Sequence, residues 1–385
     1  MREKFCKHFD VISGYAFKSA DLRADGDIPV IKIGNISSGA DVVEDSSTQY
    51  VSKDFLKINE KYHIKKEDIL ISLTGSHINQ PNSMVGRVCR NYRDRIYLLN
   101  QRAGKVIPKE IESRDYIFYL LSSKCIKEDI ANRAYGAANQ VNISPSAIGN
   151  IKWDFPSIDI QKKIGDVLSS FDNLIEINNK RIKILEQMAE NLYKEWFVRF
   201  RFLGYETAEF VDGVPKRWEY QKLKRLLEIF YGKDHKKIAD GDIPIFGSGG
   251  IMRYGNKSLH DGEVILIPRK GTLNNIMYYS GKVWTVDTMF YAVSQIPNTA
   301  KYIYYTLNNF DMESYNSGAA LPSMTTAILY NLKILLPDEK TLEKYDSFVG
   351  KLFEEKECLE KQNQNLIKQR DYLLPRLMSG KLQVK

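Results

Sequence analysis

The heptapeptide ADGDIPV at residues 24–30 returns almost unchanged as ADGDIPI at residues 239–245. A repeat of this length predicts a duplicated structural unit, and the rest of the chain supports that interpretation. The separation between matching segments shortens from 215 to 181 residues along the chain, so the second copy follows the same plan with shorter loops. Five further pairs occur in the same order: ISGYAFKS (12–19) with IFYGKDHK (229–236), EDILISLTGS (67–76) with GEVILIPRKGT (262–272), YIFYLL (116–121) with YIYYTL (302–307), GAANQVNIS (136–144) with GAALPSMTT (318–326), and IGNIKWDFP (148–156) with LYNLKILLP (329–337).

Each copy combines short strands rich in β-branched residues with one clear helix, and each closes on a strand that ends at Pro156 or Pro337. The predicted fold class is α+β, with two similar globular modules and a pseudo-two-fold internal repeat. After each proline the composition changes to a long, charged helical run with leucine and isoleucine at regular intervals. The predicted domains are a first module at 1–155, a central helical spacer at 156–202, a linker and second module at 203–337, and a C-terminal helical spacer at 338–385.

Both helical runs carry an unbroken heptad seam, in which core positions alternate three and four residues apart. This pattern predicts two long antiparallel coiled-coil helices, with Asn178 facing Asn363 and fixing the register. In that register the residue numbers of facing layers add to 541. Ordinary core helices of a bundle are the alternative. The seam positions are Ile164, Leu168, Phe171, Ile175, Asn178, Ile182, Leu185, Ala189, Leu192 and Trp196 on the first helix, and Leu342, Tyr345, Val349, Leu352, Lys356, Leu359, Asn363, Leu366, Arg370, Leu373 and Leu377 on the second.

A helix of this length spans roughly 50 Å, at 1.5 Å per residue. Two dissimilar modules held at a fixed separation would suit two different half-sites on one face of a duplex, so a bipartite and asymmetric target is expected. Several apolar residues lie off the seam and predict a docking surface for a partner subunit, with packing back onto the modules as the alternative. They are Leu174, Ile177, Ile184, Met188, Phe353, Ile367 and Leu374.

The composition is that of an ordinary globular protein, with 385 residues, 43% hydrophobic and 27% charged. The formal net charge of +8 weakly favours a polyanionic partner. No apolar run is long enough to span a membrane and no secretion signal is evident, so a cytoplasmic chain without a membrane partner is expected. Four scattered cysteines and five histidines lack metal-ligand spacing, and no phosphate-binding or metalloprotease motif occurs. We therefore expect a chain that binds without catalysing and holds no metal.

The segments ISGYAFKS, IPVIKIGNI, DILISLTG, GAANQVNIS, DGVPKRWEYQKL and the central helix WDFPSIDIQKKIGDVLSSFDNLIEINNKRIKILE resemble the specificity subunit of type I restriction-modification systems. The likeness covers nearly the whole chain and is looser in the second half. It implies that the two modules are target-recognition domains for a split sequence in double-stranded DNA. It also implies docking of two methyltransferase subunits that use S-adenosylmethionine on adenines, and of an ATP-using restriction and translocase subunit. No cofactor is expected on this chain itself.

The residues that contact DNA are predicted from basic and amide side chains in loops near glycine, where backbone and groove can approach closely. Two alternatives remain open at this point: a two-module recognition subunit of another restriction-modification or phage-defence class, and a coiled-coil adapter that binds no DNA. The candidate DNA contacts are Lys18, Lys32, Asn35, Thr74, Ser76, Arg87, Arg102, Asn139 and Gln140 in the first module, and Lys233, His235, Lys236, Arg253, Arg269, Lys270, Thr272 and Ser317 in the second.

Overall fold

A computed structural model describes residues 2–37, 41–77, 80, 84–137, 140–316 and 322–384 of the chain. The chain divides into two compact units, Met1–Ile177 with Gln362–Lys385 (unit 1) and Asn178–Lys361 (unit 2). Each unit therefore contains one module together with part of each long helix. Within the described ranges, no helix is both long enough and apolar enough to cross a membrane.

Among the described residues, unit 1 combines short strands and three short α-helices with the first part of one long α-helix and the end of another. One sheet has the strand order β2-β10-β6-β8 and a second has the order β4-β3-β9-β5, with smaller pairings β11-β12-β7 and β1-β13. The strands are β1 Glu3–Lys4, β2 Phe9–Ser13, β3 Ile28–Ile31, β4 Gln49–Val51, β5 His63–Ile64, β6 Ile69–Ser72, β7 Thr74–Gly75, β8 Val88–Arg90, β9 Tyr97–Leu99, β10 Ala103–Pro108, β11 Tyr135–Ala137, β12 Gln140–Asn142 and β13 Lys152–Trp153; the helices are α1 Arg114–Ser122, α2 Lys124–Arg133, α3 Pro145–Gly149 and the long α4, Ile158–Tyr193.

Unit 2 repeats this plan around one sheet of six strands. Its strand order is β17-β22-β20-β21-β18-β19, with the smaller pairings β14-β15 and β16-β23. The strands are β14 Phe210–Val211, β15 Val214–Pro215, β16 Glu219–Lys222, β17 Leu227–Tyr231, β18 Ile243–Gly247, β19 Gly250–Gly255, β20 His260–Pro268, β21 Met277–Thr285, β22 Met289–Ser294 and β23 Lys333–Leu336; the helices are α5 Ala300–Asn308, α6 Thr326–Asn331 and the long α7, Glu339–Met378.

The strand pairing confirms the internal repeat. The two copies of the opening motif form β3 and β18, and each of these strands has one antiparallel neighbour (β4 or β19) and one parallel neighbour (β9 or β21). The segments YIFYLL and YIYYTL form α1 and α5, as predicted. The sequence predicted one clear helix per module, and for unit 1 this was wrong. Unit 1 also contains α2, whose Ile126, Ile130 and Ala131 are buried.

The long helices run antiparallel within each unit and follow the expected register. In unit 1 the Arg370 guanidinium lies 2.5 Å from Asp172 of α4. In unit 2 the rings of Trp196 and Tyr345 have centroids 5.9 Å apart, although Trp196 itself belongs to a turn of π-helix, Lys194–Val198, that ends the first helical run. The numbers of these facing residues add to 541 or 542. Asn178 and Asn363 are buried, at 1% and 8% exposure, and their mutual pairing stays a prediction.

Candidate nucleic-acid interface

A tight approach of two backbones follows β2 in unit 1. The Gly14 amide donates to the Ala103 carbonyl at 3.0 Å, and the Tyr15 amide donates to the Leu99 carbonyl at 2.7 Å. A Cβ atom at position 14 would lie 2.3 Å from the Asn100 carbonyl oxygen, far inside van der Waals contact. Glycine is therefore required here because the backbones touch.

Unit 2 has the same arrangement after β17. The Gly232 amide donates to the Met289 carbonyl at 3.0 Å, and the Lys233 amide donates to the Thr285 carbonyl at 2.9 Å. A Cβ atom at position 232 would lie 2.0 Å from the Val286 carbonyl oxygen. The segments ISGYAFKS and IFYGKDHK are thus equivalent because the same two hydrogen bonds and the same steric limit hold them.

Two further hydrogen bonds bring the loops after β6 and β20 to the same place. In unit 1 the Leu73 amide donates to the Arg102 carbonyl at 3.0 Å, and in unit 2 the Arg269 amide donates to the Thr288 carbonyl at 2.8 Å. We call the resulting surface the glycine-turn edge. It comprises residues 13–18, 72–76, 99–103 and 140–143 in unit 1, and residues 231–236, 268–272, 285–289 and 322–324 in unit 2.

The glycine-turn edge of unit 1 contains five of the predicted DNA contacts. Lys18, Arg102 and Gln140 are exposed, as side chains that bind phosphate or base edges must be. Thr74 and Ser76 are buried instead: the Thr74 hydroxyl donates to the Asn142 side chain at 2.7 Å, and the Ser76 hydroxyl donates to a backbone carbonyl at 2.7 Å. The Thr74 hydroxyl thus ties its loop to β12, the strand that carries Gln140, and the Ser76 hydroxyl closes its own loop.

A second group of predicted contacts in unit 1 lies beside the turn that follows β3. The Arg87 guanidinium donates to the Ile33 carbonyl at 2.8 Å, and the Lys32 ammonium contacts the Gln49 side chain. Burial lowers the pKa of both Lys32 and Arg87. Asn35 is 4% exposed, and its amide donates to Val43 and Thr48, at 2.9 and 3.1 Å. Asn35 therefore braces the loop and presents no free side chain to a ligand.

Three predicted contacts of unit 2, Lys233, Lys236 and Thr272, are exposed on its glycine-turn edge. Lys270 is half-buried on the same edge, where its backbone bridges Ser323.

His235 and Arg253 bind each other, with the Arg253 Nε atom 3.3 Å from His235 Nδ1. Arg253 also pairs with Asp240 at 3.3 Å, so its guanidinium holds the 235–240 turn. Asn139 and Ser317 lie outside the described residues.

Sequence reasoning missed an aromatic residue on the edge of unit 2. The guanidinium of Arg269 lies over the ring of Tyr231, 5.3 Å from its centroid, and the Tyr231 side chain is 52% exposed. Aromatic faces stack on bases and arginine planes, so the pair adds a stacking surface to the charged edge. The signal was present in the sequence, since Tyr231 directly precedes the glycine of the turn.

The off-seam apolar residues of the long helices fall into two groups. Leu174, Ile177, Ile184, Met188 and Ile367 are exposed, between 37% and 58%. Phe353 and Leu374 differ from this set because each packs onto the core of its own unit. The ring of Phe353, for example, meets that of Tyr278 edge to face at 4.9 Å. We name these five exposed residues the docking stripe after the partner contact that the sequence predicts for them; Leu174, Ile177 and Ile367 belong to unit 1, and Ile184 and Met188 belong to unit 2.

A buried cation anchors the module of unit 2 to its long helix. The Lys301 ammonium, on α5, lies 2.5 Å from Glu263 of β20 and 3.0 Å from Asp346 of α7. Burial alone would raise the pKa of Glu263, but the hydrogen bonds from Lys301 and Tyr278 outweigh it and leave the pKa lowered. Burial likewise opposes the charged form of Lys301, yet its carboxylate partners raise its pKa. The ion pairs of Lys301 thus join α5 to β20 and to α7 within unit 2.

The chemistry offered by both edges is that of binding. Exposed lysine and arginine suit phosphate oxygens, and exposed amides and hydroxyls suit base edges. Among the residues that the structure describes, no group of three or more histidine, cysteine, aspartate or glutamate side chains is arranged to hold a metal ion.

Comparison with known proteins gives consistent matches along the chain. The model of the family described as the type I restriction modification DNA specificity domain matches residues 8–187 and again residues 215–369. The chain is 28% identical over 317 residues to the type I restriction enzyme MjaIX specificity subunit of Methanocaldococcus jannaschii, covering 74% of this chain and 73% of that protein. It is 24% identical over 400 aligned positions to the putative MjaX specificity subunit of the same organism, covering 97% and 88%.

A solved structure has a similar fold. The type I restriction-modification S subunit from M. genitalium superposes with a TM-score of 0.61 at 18% identity, covering 98% of this chain and 96% of that chain. The two matches to the family model fall on the two repeated modules and include most of both long helices. The chain therefore belongs to the type I restriction-modification DNA specificity family and contains two of its specificity domains.

Proposed function

We propose that this chain reads a bipartite, asymmetric DNA sequence, with one half-site recognised by the glycine-turn edge of each unit. The observation that carries the proposal is the pair of edges built by the same main-chain hydrogen bonds but lined by different side chains. Lys18, Arg102 and Gln140 are exposed on one edge, whereas Lys233, Lys236 and Thr272 are exposed on the other. Edges with equal geometry and unequal chemistry bind the same polymer at two different sequences.

In this proposal the chain itself is not catalytic and works as the recognition subunit of a larger complex. The docking stripe binds two adenine-methyltransferase subunits, which bring S-adenosylmethionine, and an ATP-using restriction and translocase subunit joins them. The exposed apolar side chains of the stripe support this assignment, because such residues along a helix favour contact with a partner.

The test of the recognised sequence is the methylation pattern of the host genome. Methylated adenines are sequenced in cells with and without this gene, and the proposal expects one split, non-palindromic motif to disappear with the gene. Exchange of Lys233 and Thr272 for alanine should alter one half of the motif and leave the other unchanged. A palindromic motif contradicts the proposal that each unit recognises a different half-site. Loss of both halves of the motif in the Lys233 and Thr272 variants contradicts it as well.

The docking stripe is tested by co-purification. Ile184→Glu and Met188→Glu place charges at positions 58% and 50% exposed, so they should disrupt a partner interface without unfolding the chain. Ile111→Glu is the matched control, since Ile111 is 66% exposed and lies off the long helices. Loss of methyltransferase chains in the two helix variants alone supports the proposal. If all three variants still co-purify with the methyltransferase chains, the docking surface lies elsewhere on the chain.

The same purification separates the proposal from its two alternatives. Recovery of a methyltransferase-nuclease of another kind, in place of two adenine methyltransferases, favours a different restriction-modification or defence class. A protein that binds DNA neutralises phosphates and releases counterions, so its affinity for a duplex falls as the salt concentration rises. An affinity that does not fall with salt therefore favours the alternative of a coiled-coil adapter.

A further inference from the structure

The hairpin formed by β18 and β19 differs sharply from its counterpart in unit 1. Its strands are joined by only Ser248 and Gly249, whereas residues 32–48 connect β3 and β4. Gly250 has a φ of +115°, which only glycine adopts readily. The result is a narrow tip, and β19 lies at the edge of the sheet, with a neighbour on one side only.

A β-bulge in this hairpin places one extra residue on β19. Ile245 pairs with Arg253 and the next residue, Phe246, pairs with Ile251, so Met252 has no counterpart on β18. Met252 is 58% exposed and Ile251 is 49% exposed. Bulges re-aim side chains and are over-represented next to functional sites. Here the bulge puts two large apolar side chains in solvent at the end of a thin hairpin.

Basic segments flank these apolar side chains on two sides. The Arg253 guanidinium donates to the Ile238 carbonyl at 2.9 Å and thereby fastens β19 to the turn that follows the exposed Lys236 and Lys237. At the hairpin tip, the Asn275 side chain donates to the Ser248 carbonyl at 2.7 Å. That contact holds the tip beside the loop that carries Arg269 and Lys270 on the glycine-turn edge.

An apolar tip bordered by cations matches a specific feature of DNA, in which charged phosphates border a stack of apolar base faces. Architectural proteins insert isoleucine, methionine and similar side chains between base steps from the minor groove, and so unstack and kink the duplex. A purely apolar partner surface would leave Lys236 and Lys237 without counter-charges, whereas Arg253 already has Asp240. The combination of charge and apolar surface at one hairpin therefore favours DNA as the occupant.

We propose that Met252 and Ile251 form a wedge that enters the minor groove and unstacks one base step within the half-site read by unit 2. This inference rests on the proposed DNA-reading function and adds a distortion of the duplex to it. Because residues 32–48, of which 38–40 lie outside the described residues, replace the short turn in unit 1, the proposed distortion is confined to the half-site read by unit 2. Part of the sequence preference there arises from the deformability of the step that opens, and flexible pyrimidine–purine steps are favoured.

The experiment uses the full chain with its co-purified subunits and a duplex of the motif identified from methylated adenines. 2-Aminopurine, an adenine analogue, replaces one at a time each adenine of both half-sites except the methylated ones, which methyltransferases flip out of the stack, and its fluorescence reports unstacking. The wild-type complex should raise the fluorescence at one step of a single half-site. Met252→Ser and Ile251→Ser should abolish that rise and weaken binding about tenfold, which corresponds to about 1.4 kcal/mol. Ile111→Ser, a control in unit 1 whose side chain is more exposed than either, should change neither the fluorescence nor the affinity.

The outcomes separate the wedge from the function on which it rests. Specific binding without unstacking at any step, or unstacking that survives both substitutions, overturns the wedge and leaves the recognition function standing. Loss of a co-purified subunit in the Met252 and Ile251 variants, with binding intact, assigns the hairpin to a protein contact and also overturns the wedge. Absence of sequence-specific binding by the wild-type complex overturns the proposed function itself.

Discussion

Replacement of Gly232 by alanine tests whether close backbone contact maintains the glycine-turn edge. The added Cβ atom would lie 2.0 Å from the Val286 carbonyl oxygen and 2.7 Å from that of Thr285. Both of these are backbone atoms, so no side chain can rotate away to make room. An ordinary contact begins near 3.4 Å, and the two segments must therefore separate by about 1.4 Å.

The expected cost follows from the hydrogen bonds that this separation breaks. The bonds from Gly232 to Met289 and from Lys233 to Thr285, at 3.0 and 2.9 Å, would both lengthen beyond hydrogen-bonding distance. Each backbone bond contributes about 0.5–1.5 kcal/mol, and buried groups left without a partner add to the loss. We expect the free energy of unfolding of unit 2 to fall by about 2–4 kcal/mol, or the Tm to fall by about 5–12 °C.

The chain provides matched controls for this measurement. A Cβ atom at Gly249, in the same unit, meets no other atom within 4 Å, and the same holds for Gly34 in unit 1. Calorimetry should show a lowered Tm for Gly232→Ala and an unchanged Tm for Gly249→Ala. Gly14→Ala should likewise lower the Tm, whereas Gly34→Ala should leave it unchanged. Equal Tm values for Gly232→Ala and Gly249→Ala would refute the steric explanation of both glycine turns.

Three further substitutions test other contacts. Arg370→Leu leaves the carboxylate of Asp172, 11% exposed, without its cation, so denaturant titration should show a loss of about 3–5 kcal/mol, most of which returns when Asp172 is also made apolar. The carboxylate of Glu263 has a lowered pKa, so its contribution to stability is present above its unfolded pKa and is lost as the pH falls through the folded value. Lys301→Met should therefore lower the stability at neutral pH and flatten the loss on acidification, as measured by urea unfolding at several pH values. Arg102→Gln should weaken binding to all sequences alike and reduce the slope of log affinity against log salt by about one, whereas a change confined to one base position would assign Arg102 to base reading.

The fold was largely predictable because its signals are local. Hydrophobic periodicity identified the helices α1 and α5, and the heptad pattern identified α4 and α7, whose contacts follow the predicted register within each unit. The repeat could be recognised in the sequence because equivalent strands need the same pattern of buried residues. The missed helix α2 has a charged sequence, KCIKEDIANR, whose three buried residues are too few to stand out.

The candidate site was predictable only in part, because exposure is a tertiary property. Asn35 and Arg102 both lie in polar loops of unit 1, yet Asn35 is enclosed by hydrogen bonds to Val43 and Thr48. Those partners are 8 and 13 residues away, and no sequence pattern shows that the chain returns to meet them. The bulge at Met252 depends in the same way on the register between two strands, which sequence spacing alone does not give.

The division of the chain into units has a consequence for its synthesis on the ribosome. Unit 2 is one continuous segment, Asn178–Lys361, but unit 1 also includes residues 362–385. Leu377 and Met378 are buried in the same hydrophobic cluster as Phe5 and Phe9, near the start of the chain. The core of unit 1 is therefore complete only after residues 362–385 are synthesised, and these follow the whole of unit 2. Until then the apolar surface of the first module is exposed and needs protection from aggregation.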